Sequence, residues 1–344
     1  MWTFEKNKKH ICPNCGKKTY VRLLDENGNL LPIEYGKCDR YNKCGYKNYP
    51  KKEIKVDNIY LNPKYISKIC ENNIYKNELF IGLYYTKKFN EVKLYKAFEI
   101  YRVFNIKETK NIFIQNYIHS PVFFFYDKIQ EIPLISYGQV IKYNGINRSK
   151  TIPPNSIVNL LKHILNNDIQ FKQYLETYEK MEKKRKYLFG WHLLREYINI
   201  KKIFIVESPK TALICTAFYG LPDESNSVFL ATGNSNIEVD LLNYLISQGE
   251  KDYYITLIPD CSYNDKFYNE WKNKLNRIPY NKSFIIKIEA EDGEDIGDLI
   301  LRNKAPNIFN EITSELLFKS IKEMNIEYDK EFEEIREMIK KNNL

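Results

Sequence analysis

Between Ile203 and Leu301 the chain alternates apolar runs with amphipathic stretches. IFIV, VFLA, YYITLI and SFIIKI are short and rich in β-branched and aromatic residues, the pattern of strands covered on both faces of a parallel sheet. SPKTALICTAFYG, IEVDLLNYLISQG and DKFYNEWKNKLN lie between them and repeat apolar residues at three and four. The first two stop at Gly220 and Gly249, where a helix C-terminus favours glycine. This order predicts a parallel α/β sheet over residues 198–305. Residues 55–197 read differently, as a mixed α+β region. VKLYKAFEIYRVF, FFFY and PLISYGQVIKY, with the turn Asn144-Gly145, predict short strands and hairpins plus one or two helices. From Pro153 to about Tyr197 the pattern turns helical, with VNLLKHIL and the charged YEKMEKKRK leading into FGWHLL. Residues 1–50 are too few for a large core, and 306–344 predict a charged helical tail. The expected fold is a multidomain α/β chain.

Composition narrows the class. At 344 residues and 43% apolar, the chain can bury two or three moderate cores. The longest apolar stretch, Val122 to Tyr126, is far short of the roughly 20 residues of a spanning helix. No apolar segment follows the charged first residues, so no secretory signal is expected and a cytoplasmic location is. Lys plus Arg exceed Asp plus Glu by 53 to 44. Through Asp57 the balance is 13 to 7, which leaves only +3 for the other 287 residues. A polyanionic partner is therefore expected at the front of the chain.

Four of the seven cysteines also lie there. Cys12-Pro-Asn-Cys15-Gly has the spacing of a zinc knuckle, and Cys38 with Cys44 supplies a second, looser pair. The stretch between the pairs predicts a β-hairpin turning at Asn27-Gly28-Asn29. Four thiolates suit tetrahedral Zn²⁺, and the metal would supply folding energy that so small a core lacks. His10 is expected to be a surface residue rather than a ligand. Lys17, Lys18, Arg22 and Arg40, interleaved with Tyr20, Tyr35, Tyr41, Tyr46 and Tyr49, suit phosphates and unpaired bases, so single-stranded DNA is the expected partner of this ribbon, with a purely structural ribbon as the alternative.

Acidic residues recur where open α/β sheets bind ligands, at the carboxyl ends of strands. Glu207 follows IFIV, Asp260 follows ITLIP, and Asp292, Glu294, Asp295 and Asp298 follow SFIIKI. Such carboxylates can form a hard-oxygen site for Mg²⁺ or Mn²⁺. Lys210, at the start of the helix after Glu207, is a candidate phosphate contact.

IFIVESPKTAL with a later strand-end Asp resembles the Toprim domain of bacterial-type primases, topoisomerases and related nucleases. A zinc ribbon, a mixed α/β region and Toprim follow one another in a bacterial-type primase. CPNCGKKTYVRLL, GKCDRYNKCGYKNYP, LFGWHLL, VESPKTAL, ATGNSN and LIPD resemble a family of primase-like proteins from Bacteroidetes-type chromosomes and mobile elements. The resemblance implies that Glu207 and Asp260 hold magnesium. It implies nucleotidyl transfer from nucleoside triphosphates on single-stranded DNA, during replication of a mobile element or phage, and a separate replicative helicase as a possible partner. Ser262 departs from the pattern, standing where the second Asp of the Toprim Asp-x-Asp pair belongs; Asp265 or Asp295 are the candidate substitutes. A non-catalytic nucleic-acid-binding protein and a Toprim nuclease are the alternatives. No Walker A motif, G-x-G-x-x-G or H-E-x-x-H occurs, which removes a fused P-loop helicase and weakens dinucleotide-binding and zincin readings.

Overall fold

The computed structural model describes residues 3–6, 8–25, 28–48, 60–127, 134–179, 187–247, 253–278 and 282–309. The expected tail from residue 310, Asn27 of the hairpin turn and most of YEKMEKKRK lie outside them. The chain divides into two compact units, Met1–Asp57 and Asn58–Leu344. Among the described residues no helix is long and apolar enough to cross a membrane.

The first unit is an antiparallel ribbon. Strand β1 (Lys18–Leu24) pairs with β2 (Gly36–Cys38), placing Tyr20 opposite Cys38. The turn between them is tied by Asp25 N–H to Asn29 O at 2.8 Å, and Gly28 takes the left-handed φ of 84° that glycine permits. Its buried core is little more than Cys12, Tyr20 and Cys38, with Tyr46 edge-on to Tyr20. So small a core buries too little to offset chain entropy unaided.

The second unit holds helices α1 (Glu78–Tyr85) and α2 (Glu91–Ile100) and a five-stranded antiparallel sheet centred on β3 (Pro121–Asp127) and β4 (Leu134–Val140). VKLYKAFEI, from the region expected to give short strands and one or two helices, is helix α2. Leu94, Ala97, Phe98 and Tyr101 fall on one buried helical face, and the Asn90 side chain caps the helix by accepting from Lys93 N–H. The run Val122 to Tyr126 is buried on both faces because α-helical and loop residues cover both sides of β3.

Next comes a four-stranded parallel sheet. Strand β5 (Lys202–Val206) leads to helix α3 (Pro209–Tyr219), then to β6 (Ser227–Ala231) and β7 (Tyr254–Leu257). Helix α4 (Lys266–Leu275), β8 (Ser283–Ile285) and helix α5 (Ile296–Leu301) complete the order. Strands lie β6-β5-β7-β8, all parallel. From β5 the chain steps outward to β6, then crosses back to place β7 on the other side. The crevice at the carboxyl ends of β5 and β7 is therefore a topological switch point, where doubly wound sheets bind ligands.

One buried core runs through both sheets. LFGWHLL joins them: Phe189 bridges to Ala231 at the edge of β6, stacks on Tyr101 at 5.1 Å and meets Phe123 edge-on. Gly190 is required there, since a Cβ would sit 2.6 Å from the Tyr101 ring and φ is 83°. The Tyr101 hydroxyl contacts Thr216 Oγ1 at 2.9 Å and donates to Phe229 O, tying α2 to α3 and β6.

Candidate functional site

In the ribbon, Cys12, Cys15, Cys38 and Cys44 bring their sulfurs within 4.8 Å of one another. Cys12 and Cys44 lie 3.6 Å apart, close to the roughly 3.8 Å edge of a tetrahedron with Zn–S near 2.3 Å. The first knuckle is shaped by Cys12 N–H to Lys17 O and Gly16 N–H to Cys12 O. In the second, the looser spacing is taken up by a single helical turn over Tyr41–Cys44. Asn14 donates to Cys44 O at 2.7 Å and reaches its sulfur at 3.6 Å, while the Thr19 hydroxyl contacts Cys38 at 3.3 Å. These outer contacts orient the ligands. The backbone N–H of Lys17, with help from neighbouring thiols, lowers the Cys15 thiol to about 7. The residues fit a structural Zn²⁺. His10 instead hydrogen-bonds Glu5 at 2.5 Å, outside the cluster.

The candidate polyanion contacts of this unit divide. Lys17 and Lys18 are exposed beside the first knuckle. Arg22 is half-buried and donates to Leu31 O, so it braces the hairpin. Arg40 is also half-buried, and its carbonyl accepts from Lys43 and Cys44 N–H in the second knuckle.

In the second unit, Glu207 and Asp260 flank the switch crevice. Glu207 is 6% exposed, and Asp260 N–H faces its Oε1 at 3.4 Å. The Glu207 carbonyl is held by Gly233 N–H and the Thr232 hydroxyl of ATGNSN. Trp271 Nε1–H pins the same loop by donating to Ser235 O at 2.8 Å. Burial, opposed by the Asp260 N–H and reinforced by the charge of Asp295, pushes Glu207 up to about 7. Burial followed by the charges of Asp295, Glu207 and Asp298 pushes Asp260 up to about 9, with Lys210 opposing. Water is withheld from like charges held together, so the crevice favours protons or a cation.

Asp295 joins this group, but its oxygens are engaged. Oδ1 accepts from Asp298 N–H at 2.9 Å in a reciprocal capping box at the start of α5, and Oδ2 accepts from the buried Thr211 hydroxyl. It adds negative field and shapes the wall. Lys210 lies 3.4 Å from Asp298 and supplies the local positive charge. Asp265 turns outward to pair with Lys287 at 2.7 Å. Ser262 Oγ accepts from Phe267 N–H at 2.8 Å and serves the start of α4. Among the described residues, no three carboxylates have oxygens mutually within 4.8 Å. Glu207 and Asp260 as a pair still fit Mg²⁺, which takes one or two carboxylates and completes its shell with water and phosphate. A cleft of about 530 Å³ begins at Cys261, the residue after Asp260, and is lined also by Tyr263, Asp265, Lys287, Asp292 and Arg302; neither Glu207 nor Asp260 lines it. Sequence reasoning did not find Thr211 as the partner of Asp295. Its only signal was a hydroxyl one residue past Lys210 in the first turn of a helix, a common capping feature.

No curated protein matches the chain. A zinc beta-ribbon finger family matches residues 2–59. Among solved structures, the primase fragment of the bacteriophage T7 primase-helicase protein aligns at TM-score 0.40 and 13% identity, over 91% of this chain and 99% of that one. A structure of the bacteriophage T7 lagging-strand DNA polymerase interacting with primase domains of two gp4 subunits, bound to an RNA/DNA hybrid and dTTP, aligns at TM-score 0.40 and 13% identity, over 63% of this chain and 85% of that one. A second family, described as a domain of unknown function (DUF6371), matches residues 77–261, which take in α1 through β7 and both crevice acids. The chain belongs to that family, joined at its N-terminus to a zinc ribbon.

Proposed function

We propose that the chain is a primase-like nucleotidyltransferase that extends primers on single-stranded DNA from nucleoside triphosphates, in replication of a mobile element or phage. The observation that carries this is the pairing of two proton-hungry carboxylates, the buried Glu207 and the half-buried Asp260, at the switch point of a parallel sheet. They match the acids of the Toprim-like pattern IFIVESPKTAL and LIPD. Mg²⁺ or Mn²⁺ held by this pair would supply Lewis acidity and neutralise phosphate charge. A cation must displace the protons that Glu207 and Asp260 otherwise hold near neutral pH, and once bound it offsets their charge towards an incoming polyphosphate, so substrate entry is coupled to metal. Lys210 sits beside the acids and can bind a phosphoryl oxygen as a point charge. The ribbon, with Lys17 and Lys18 exposed, is the proposed holder of template. A separate replicative helicase and a cytoplasmic setting belong to the same reading.

A second reading, binding of nucleic acid without catalysis, is favoured by one observation: Ser262 spends its hydroxyl on α4 and adds no ligand. Nuclease activity would use the same acids. Incubation with single-stranded template, labelled nucleoside triphosphates and Mg²⁺ or Mn²⁺ separates the three. The expected result is metal-dependent primer synthesis that is lost in Glu207→Gln. Equal inactivity of wild type and variant, with DNA binding retained by both, would overturn it in favour of the binding reading. Metal-dependent cleavage without synthesis would identify a nuclease.

A further inference from the structure

An aromatic ledge lies on the second unit, on the helical pair α1–α2 and the turn before it. Tyr75 is 61% exposed and Tyr85 71%. Tyr95 and Tyr84 are half-buried between them, over a floor made by buried Phe80. The rings run as a continuous series. Tyr95 meets Tyr75 at 5.5 Å, Tyr75 meets Phe80 at 5.7 Å, Phe80 stacks with Tyr84 at 6.4 Å, and Tyr84 meets Tyr85 at 5.5 Å. Helix packing needs Phe80 and Phe98 inside. It does not need two tyrosines turned mostly into water at the ends of the series.

The charge around the ledge is one-sided. Residues 74–96 carry Lys76, Lys87, Lys88, Lys93 and Lys96 against Glu78 and Glu91, a formal +3 that equals the whole excess of residues 58–344. Glu78 is turned away from the surface, bound to Lys142 at 2.6 Å and to Tyr143 N–H at 2.6 Å. Lys76, Lys93 and Lys96 have carboxylate partners in Glu108, Glu224 and Glu99. Lys87 has none among the described residues. Its Nζ stands 4.1 Å over the Tyr84 ring and 6.0 Å from that of Tyr85, carried there by a left-handed backbone with φ 57°.

Exposed π-faces interleaved with lysine suit a strand of unpaired bases, because every base can stack on a ring and each phosphate can meet a cation. A protein partner would reward a larger aliphatic surface, and here only Ile81 and Val92 offer one. We propose that Tyr75, Tyr84, Tyr85 and Tyr95, with Lys87, form a stacking platform for single-stranded nucleic acid on the second unit, additional to the ribbon. The platform is independent of any chemistry at Glu207.

The test uses the full chain and a fluorescently labelled 20-nucleotide oligo-dT, followed by anisotropy over a salt series. Tyr75→Ala/Tyr85→Ala removes only exposed rings, and circular dichroism checks that the fold survives. The expected result is about tenfold or more loss of affinity with the salt slope unchanged, since stacking is lost and no phosphate contact is. Tyr75→Phe/Tyr85→Phe keeps wild-type affinity, and Lys87→Ala flattens the salt slope by about one single-strand phosphate contact. Binding by the Ala pair within twofold of wild type overturns the proposal, as does an effect on self-association in sedimentation with DNA affinity intact. Absence of primer synthesis while the Ala pair still loses DNA affinity would overturn the proposed enzyme activity and leave the platform standing.

Discussion

Replacing Glu207 by Gln removes a charge that the native protein holds at a cost. The Glu207 carboxyl titrates at about 7 in the folded protein against 4.5 ordinarily, because it is buried and faces Asp295. Between those values the folded protein keeps a proton that the unfolded chain has released. Its stability therefore falls as pH rises through this window and levels off above about 7. At about 1.36 kcal/mol per unit, the upper limit at pH 8 is about 3 kcal/mol. Gln keeps an oxygen for the Asp260 N–H but buries an amide N–H₂, a cost of about 1–2 kcal/mol. The variant should then be about 1–2 kcal/mol more stable than wild type at pH 8 in EDTA, and nearly equal to it at pH 5. Urea unfolding followed by fluorescence of Trp191 and Trp271, both buried in the second unit, reads this directly. Added Mn²⁺ should stabilise wild type and leave the variant unmoved. A variant less stable than wild type at pH 8 in EDTA would refute the reasoning, because Glu207 would then be a satisfied structural carboxylate.

Three further outcomes are expected. Mn²⁺ affinity, measured by paramagnetic resonance, should rise with pH through about 7 and again towards 9 as Glu207 and Asp260 release protons; a flat profile from pH 6 to 9 would exclude them as ligands. Cys12→Ser should cost one equivalent of zinc by elemental analysis, together with the strand signal of the first unit, since little else holds that core; a retained equivalent would exclude the four-thiolate site. Tyr101→Phe should destabilise the second unit by about 1–2 kcal/mol, because Phe229 O and Thr216 lose a buried partner. The loss should appear in one transition that moves both sheets, and separate transitions would contradict a shared core.

The β-α alternation of residues 201–301 was legible because strands covered on both faces must be continuously apolar, while the helices covering them are apolar on one face only. The four thiols were legible because zinc knuckles impose their own spacing. VKLYKAFEIYRVF left strand and helix open because its apolar density suits either. What decides the helix is the burial of Leu94, Ala97, Phe98 and Tyr101 on one side, together with an Asn90 cap. For FGWHLL the residues were visible but the role was not, since Phe189 and Gly190 act only once Tyr101 and β6 are beside them.

At the site, sequence by itself determined the residue types and their order: acids after strands, a lysine at a helix start, two cysteine pairs. Strand periodicity and metal-ligand spacing are local, so they can be read along the chain. Only the tertiary structure decided which acids meet. Glu207 and Asp260, 53 positions apart, flank one crevice because the chain reverses direction across β5. Asp295 is tied to Thr211 and Asp298, and Asp265 is drawn outward by Lys287. Those pairings depend on distances set by the packing of separate elements, and so do the desolvation and mutual repulsion that raise the two crevice carboxyls.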